Sequence, residues 1–282
     1  MSGVVAGALV AHVPTLGRAE ITPEFQHTLV AGERRLGHDV RTLRPDLWVI
    51  ASTHWVSTFH WFATCQAEHA GICVADEAPD LIPGLPYRYR GDPEFGAALV
   101  DEWNRAGVPA GRNDSPHYQW DYGTFVPLSH LDPTAEVAVV GVPVVLLSDH
   151  AECLRAGAAI HATAKRLGRR AVFVASSALT HALVRGRHLM PTPERMAADE
   201  RLIGRLQRGE VDDAIGSFGE YSRLTVAEMG GRALATLLGA LHAMQEDIGP
   251  LQGRQYGGYA QSSGSGNANL LVASPATLGA IQ

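Results

Sequence analysis

Cysteine is scarce in this 282-residue chain: Cys65, Cys73 and Cys153 are the only three, and no CxxC spacing links them. A disulfide framework and a thiolate zinc site are both without support, and a reducing, cytoplasmic setting is expected. Blocks of Lys or Arg are also missing, and the net charge is -6. Neither a nucleic acid nor an anionic membrane surface is therefore expected as a partner. No apolar run is long enough to span a bilayer. The N-terminal MSGVVAGALVAHVP is apolar but lacks the basic region of a signal peptide, so it reads as a buried strand. Internal repeats and domain linkers are absent too, which points to one domain over residues 1–282.

With 46% hydrophobic residues, the chain has enough apolar material for a large core. Strand patterns fall at Val4–Ala11, Leu47–Ser52, 59–65, Val137–Leu147 and Ala171–Ser176. Helical patterns fall at 22–38, with Thr22 as cap and Pro23 in the first turn, and at 93–106, 151–167, 193–208 and 224–245. Residues 78–92, APDLIPGLPYRYRGD, read as a long ordered loop near a site. The tail from Gln261 ends in an apolar run and is expected to pack on the body. Alternating strands and helices predict an α/β fold whose central sheet is largely parallel or mixed and is flanked by helices.

Histidine is the residue in surplus, with thirteen copies. His12 follows the first strand, His54 follows Leu47–Ser52, and His181 lies a few residues past Ala171–Ser176. In open α/β sheets the ligand crevice lies outside the carboxyl ends of the strands, so three imidazoles can converge there. One lone histidine would be read as a core or loop residue; three at equivalent places favour a metal or acid–base site. A carboxylate completes the set if residues 224–245 form one helix. Leu224, Glu228, Gly231, Ala235 and Leu238 then share a face, and Glu228 sits on an apolar stripe. An ion pair with Arg232 explains that placement as well as a bound cation does, and the residues leave both open. Two imidazoles and one carboxylate are the ligand set of non-haem Fe(II) oxygenases. Zinc hydrolases use the same donors, so the ligand types do not choose the metal.

Six motifs in one order carry a family resemblance: HVP (12–14), THW (53–55), DYGTFVPL (121–128), ASSALTH (175–181), VAEMGG (226–231) and SSGSGNAN (262–269). Together they resemble the class III extradiol dioxygenases, the superfamily of protocatechuate 4,5-dioxygenase. Within it they are most similar to the homoprotocatechuate 2,3-dioxygenase and 2-aminophenol 1,6-dioxygenase branches.

The resemblance implies an Fe(2+) site of His12, His54 and Glu228, with His181 as the acid–base residue beside it. Thr180 stands where Ser is commoner. Tyr122 replaces a second catalytic His found in many members, and it can donate a hydrogen bond but is a poor base at neutral pH. His117 and His130 are read as structural or surface residues. The implied reaction opens a catechol-type ring with O2 to a muconic semialdehyde, in a homo-oligomer. A short carboxylated side chain, as in 3,4-dihydroxyphenylacetate, is the expected substituent, with Tyr87, Arg88, Tyr89 and Arg90 lining its pocket; 2-aminophenol is the alternative. Arg185, Arg187, His188 and Arg223 are further candidates to meet a carboxylate. A zinc hydrolase or a non-catalytic partner chain are the competing classes, and retention of all four site residues argues against the latter.

Overall fold

Four apolar segments form the parallel part of one six-stranded sheet: β1 (Gly3–Val10), β2 (Leu47–Ser57), β7 (Ala138–Val145) and β8 (Arg170–Ser176). The computed structural model describes residues 2–281. Strand order is β7-β2-β8-β1-β10-β9, where β9 (Gln252–Ser262) and β10 (Ser265–Ala273) are a hairpin added antiparallel to β1. Two small sheets lie apart from it. Strands β3 (Trp61–Thr64) and β6 (Ala110–Asn113) pair in parallel, and β4 (Glu68–Cys73) and β5 (Leu85–Arg90) pair antiparallel. The mixed, helix-flanked sheet is the α/β class that the alternating pattern predicts.

Strands β1, β7 and β10 are buried at every position, the mark of a sheet covered on both faces. The helices are α1 (His27–Thr42), α2 (Pro93–Arg105), α3 (Tyr122–Leu131), α4 (His150–Arg166), α5 (Pro193–Arg208), α6 (Val211–Thr225), α7 (Arg232–Ile248) and α8 (Pro275–Gly279). Helices α4 and α7 pack together on one side of β1, while α1 and α3 pack together on the other side of the sheet. The α4–α7 crossing is close because glycines sit at it. A Cβ on Gly157 would stand 2.0 Å from the Thr236 carbonyl oxygen, and one on Gly239 2.1 Å from that of Leu154.

Register sets the strand ends level. Val10 pairs with Ser176, and Ser176 pairs with Ser52, so the chain leaves β1, β8 and the regular part of β2 at one height. Beyond Ser52, β2 bulges against β7, with Val56 pairing only one residue further along the partner. Thr53, His54 and Trp55 occupy that bulge.

Several boundaries differ from the sequence expectations. The helix expected from Thr22 begins at His27, after a 3-10 turn over Glu24–Gln26, and the Thr22 hydroxyl bonds back to the carbonyls of Thr15 and Arg18 instead of capping it. The loop 78–92 contains strand β5. The single helix expected over 224–245 does not exist. Helix α6, which the sequence reading missed, ends at Thr225; Val226 is left-handed, and a 3-10 turn over Glu228–Gly231 leads into α7.

Candidate metal centre

His12 stands two residues beyond β1 and is 5% exposed. Its Nδ1 lies 3.0 Å from Ser176 Oγ, and that hydroxyl donates its only proton to the Gly123 carbonyl. Ser176 must then accept from His12 Nδ1–H, which leaves Nε2 as the lone-pair nitrogen facing the site. His54 is held in a comparable way. Its backbone N–H donates to Ser52 Oγ at 3.1 Å, and its Nδ1 faces Glu77 Oε1 at 3.4 Å. The two Nε2 atoms meet at 3.1 Å.

Glu228 reaches the same point by a tight turn rather than by helix phase. Positive φ at Val226, Met229, Gly230 and Gly231 folds the chain back between α6 and α7. Two of these residues carry side chains, and strain of that kind concentrates at functional sites. Arg232 braces the turn through the carbonyls of Met229, Leu146 and Ser148. It does not pair with Glu228, so the ion-pair alternative is corrected. Instead Glu228 Oε1 lies 3.3 Å from His12 Nε2 and 3.6 Å from both His54 Nε2 and His181 Nε2.

His12, His54 and Glu228 present donor atoms all within 4.8 Å of one another. Two donors about 2.1 Å from one cation, at roughly a right angle, stand about 3.0 Å apart, so the imidazole separation fits one first-row ion. The electrostatics fit as well. Burial pulls the His12 ring down, but Glu228 more than offsets this and its pKa is raised. Burial and the His12 ring together push His54 down to about 4. Burial disfavours the Glu228 carboxylate, yet His12, His181 and His54 hold it well below the ordinary range. A buried anion facing three imidazoles suits a divalent cation.

His181 is outside this donor set, and its side chain is 31% exposed. Its segment is fixed by Asp199, a buried residue of α5 that accepts from the Thr180 amide at 3.3 Å, Tyr221 at 2.9 Å and Tyr259 at 2.7 Å. Tyr122 opens α3, where Asp121 caps Thr124 N–H at 2.9 Å, and its ring centroid lies 4.0 Å from that of His54. Burial and then Glu77 push its phenol far up, so it stays protonated. His130 is buried against the Leu16 carbonyl at 2.8 Å, and His117 is exposed; neither joins the cluster.

A cavity of about 550 Å³ opens against His54 and Tyr122. The expected lining by residues 87–90 is corrected, because strand alternation divides them. Tyr87 and Tyr89 turn inward, Tyr87 stacking behind Trp120 at 4.6 Å, while Arg88 pairs with Glu68 at 2.6 Å and Arg90 with the Glu136 carbonyl at 2.8 Å. Arg185, Arg187, His188 and Arg223 are exposed, and none lines this cavity. Sequence reasoning missed Ser176, Asp199 and Glu77. Only Ser176 left a signal, as a hydroxyl at the end of an apolar strand level with His12.

The family model described as the catalytic LigB subunit of aromatic ring-opening dioxygenase matches residues 6–263. The chain belongs to this LigB family. As a LigB protein it is an extradiol ring-cleavage dioxygenase, and its relatives agree in kind. It is 23% identical over 252 residues to an Escherichia coli 3,4-dihydroxyphenylacetate 2,3-dioxygenase, covering 86% of this chain and 91% of the relative. Against the β subunit of a Pseudomonas 2-aminophenol 1,6-dioxygenase it is 23% identical over 293 residues, covering 94% and 92%. The α subunit of that enzyme is 25% identical over 215 residues, covering 74% and 79%. The fold matches the crystal structure of an uncharacterized Escherichia coli K12 protein with a TM-score of 0.66 at 19% identity, over 95% of this chain and 99% of that one. No helix among the described residues is long and apolar enough to cross a membrane.

Proposed function

We propose that this LigB protein is an Fe(II)-dependent extradiol dioxygenase that opens a catechol-type ring with O2 to a muconic semialdehyde. His12, His54 and Glu228 hold the metal in this reading. The observation that carries it is the convergence of their donor atoms, with His181 beside Glu228 and a cavity opening against His54 and Tyr122. A ferrous ion held there would supply open coordination positions for an aromatic diol and O2, and a path for electrons from the ring to oxygen.

The chain's own groups do the rest. Ser176 and Glu77 orient the two imidazoles through their Nδ1 atoms. His181 Nε2, 3.6 Å from Glu228 Oε1 and partly open to solvent, takes a phenolic proton from the substrate and returns it to oxygen as the ring opens. Tyr122 acts only as a hydrogen-bond donor, because its phenol does not ionise near neutrality. The catalytic unit spans residues 1–282 as one domain and works in the cytoplasm as a homo-oligomer.

The sequence motifs favour a carboxylated side chain on the ring, as in the substrate named for the Escherichia coli relative. A 2-aminophenol-type substrate is the second reading, favoured by the lack of any Lys or Arg along the cavity. Anaerobic reconstitution with Fe(II), followed by O2 uptake on a panel of catechols and aminophenols, tests the proposal. Ring-opened product with one O2 consumed per ring is the expected result. Zinc-supported hydrolysis without O2 uptake would replace it.

A further inference from the structure

The cavity against His54 and Tyr122 is acidic on every charged side. Asp76, Glu77 and Asp121 contribute carboxylates to its wall, and Ile72 and Val74 contribute the apolar surface. None of the residues lining it is Lys or Arg. Two of the three carboxylates are tied in place. Glu77 Oε1 faces His54 Nδ1 at 3.4 Å, and Asp121 accepts from Ser52 Oγ at 2.5 Å and Thr124 N–H at 2.9 Å. The fourth nearby charge, Glu228, has the same sign. Cations that the sequence places close by are turned elsewhere, with Arg88 on Glu68 and Arg90 on the Glu136 carbonyl.

We propose that this cavity selects rings whose substituent is uncharged or cationic and discriminates against carboxylated rings. The inference rests on the reading of the site as one that binds an aromatic diol at the metal. A ring held by its two oxygens next to His54 directs its substituent along the adjoining cavity. A carboxylate there gives up water and meets like charge with no Lys or Arg in the wall, whereas an uncharged amide or alkyl group avoids that repulsion and can pack on Ile72, Val74 and Trp120. An ammonium group gains the three carboxylates outright. The preference runs against the carboxylated substituent that the motifs alone suggest.

Three ligands with the same ring and a short side chain isolate charge: 3,4-dihydroxyphenylacetate, its primary amide, and 4-(2-aminoethyl)catechol. Their affinities are measured by anaerobic titration calorimetry on the Fe(II)-loaded protein, and O2 uptake is measured separately. The amide and the amine should bind at least about tenfold more tightly than the carboxylate at low salt. That gap should narrow as ionic strength rises, and it should narrow several-fold in Asp76→Asn. Tighter or equal binding of the carboxylate overturns the inference, as does a gap indifferent to both salt and Asp76→Asn, or no binding by any of the three. The expected binding order without O2 uptake on any ligand leaves the charge preference standing and removes the ring-cleavage reading instead.

Discussion

The backbone amide of Ala178 donates to Glu228 Oε2 at 2.6 Å, which leaves Oε1 alone to face the three imidazoles. The bond joins the turn after α6 to the segment after β8, and it restricts the carboxylate to one inward oxygen. Glu228→Ala removes both the donor and this link. Metal binding should weaken on the order of 10²-fold or more, beyond the roughly 10–100-fold that losing an outer-shell partner costs. Chelator competition measures it, and unchanged affinity would remove Glu228 from the ligand set.

The hydroxyl of Ser176 fixes the tautomer of His12, so Ser176→Ala should lower metal affinity about 10–100-fold with all three ligands intact. Ser176→Thr, which keeps a hydroxyl, should restore part of the loss. Equal affinity in the alanine variant would show that the ring is oriented by packing alone.

His181 touches Glu228 but lies outside the donor cluster. His181→Ala or His181→Phe should keep bound metal at wild-type content while turnover falls roughly 10²–10⁴-fold. Metal lost in step with activity would make His181 a ligand instead.

Proton competition at the site should follow one histidine. With His12 raised and His54 pushed down to about 4, His12 is the ring that keeps a displaceable proton to the higher pH. Metal affinity should therefore rise about tenfold per pH unit on the acid side of the His12 pKa and level off above it. On that acid side, while still above the His54 pKa, release should approach one proton per ion, as read by calorimetry in buffers of different ionisation enthalpy. A release of two would mean that both rings are protonated before binding.

Glu33 of α1 is fully buried, and neither of its oxygens has a hydrogen-bond partner. His130 Nε2 is 3.7 Å away and already bonds to the Leu16 carbonyl. Burial pushes the Glu33 carboxyl well above 4.5, so the folded protein keeps a proton that the unfolded chain releases. Stability must then fall as pH rises above 4.5, by up to about 1.4 kcal/mol per unit until the folded group ionises. The stability of wild type relative to Glu33→Met should fall with rising pH above 4.5 and stay constant below it, as read by denaturant unfolding. Parallel curves would show that burial leaves the Glu33 pKa unshifted.

The sequence made the strand-end histidines readable because a buried parallel strand is a continuous apolar run, and the residue that ends it is conspicuous. His12 and His54 were legible for that reason. Glu228 was reached through a helix that does not exist. The stripe through Leu224 and Leu238 joins two helices across a turn whose positive φ values at Val226 and Met229 no periodicity reveals. Strand β5 was hidden by Pro86 and by the flanking Pro83, Gly84 and Gly91, and Arg88 and Arg90 consequently looked available to a substrate. Asp199 and Glu77 act through contacts distant in sequence, with Thr180 and His54 respectively, and single-sequence patterns carry no trace of such pairs.

Strand β1 is first in the chain yet sits in mid-sheet, between β8 and β10. The Ala11 amide, next to His12, bonds to Asn269 Oδ1 at 3.1 Å, and Asn269 Nδ2 continues to the Leu29 carbonyl at 2.9 Å. On the ribosome, the strand that bears the first donor has no second neighbour until the final hairpin emerges. Until then β1 pairs only with β8, and the Ala11 amide beside His12 lacks its Asn269 partner.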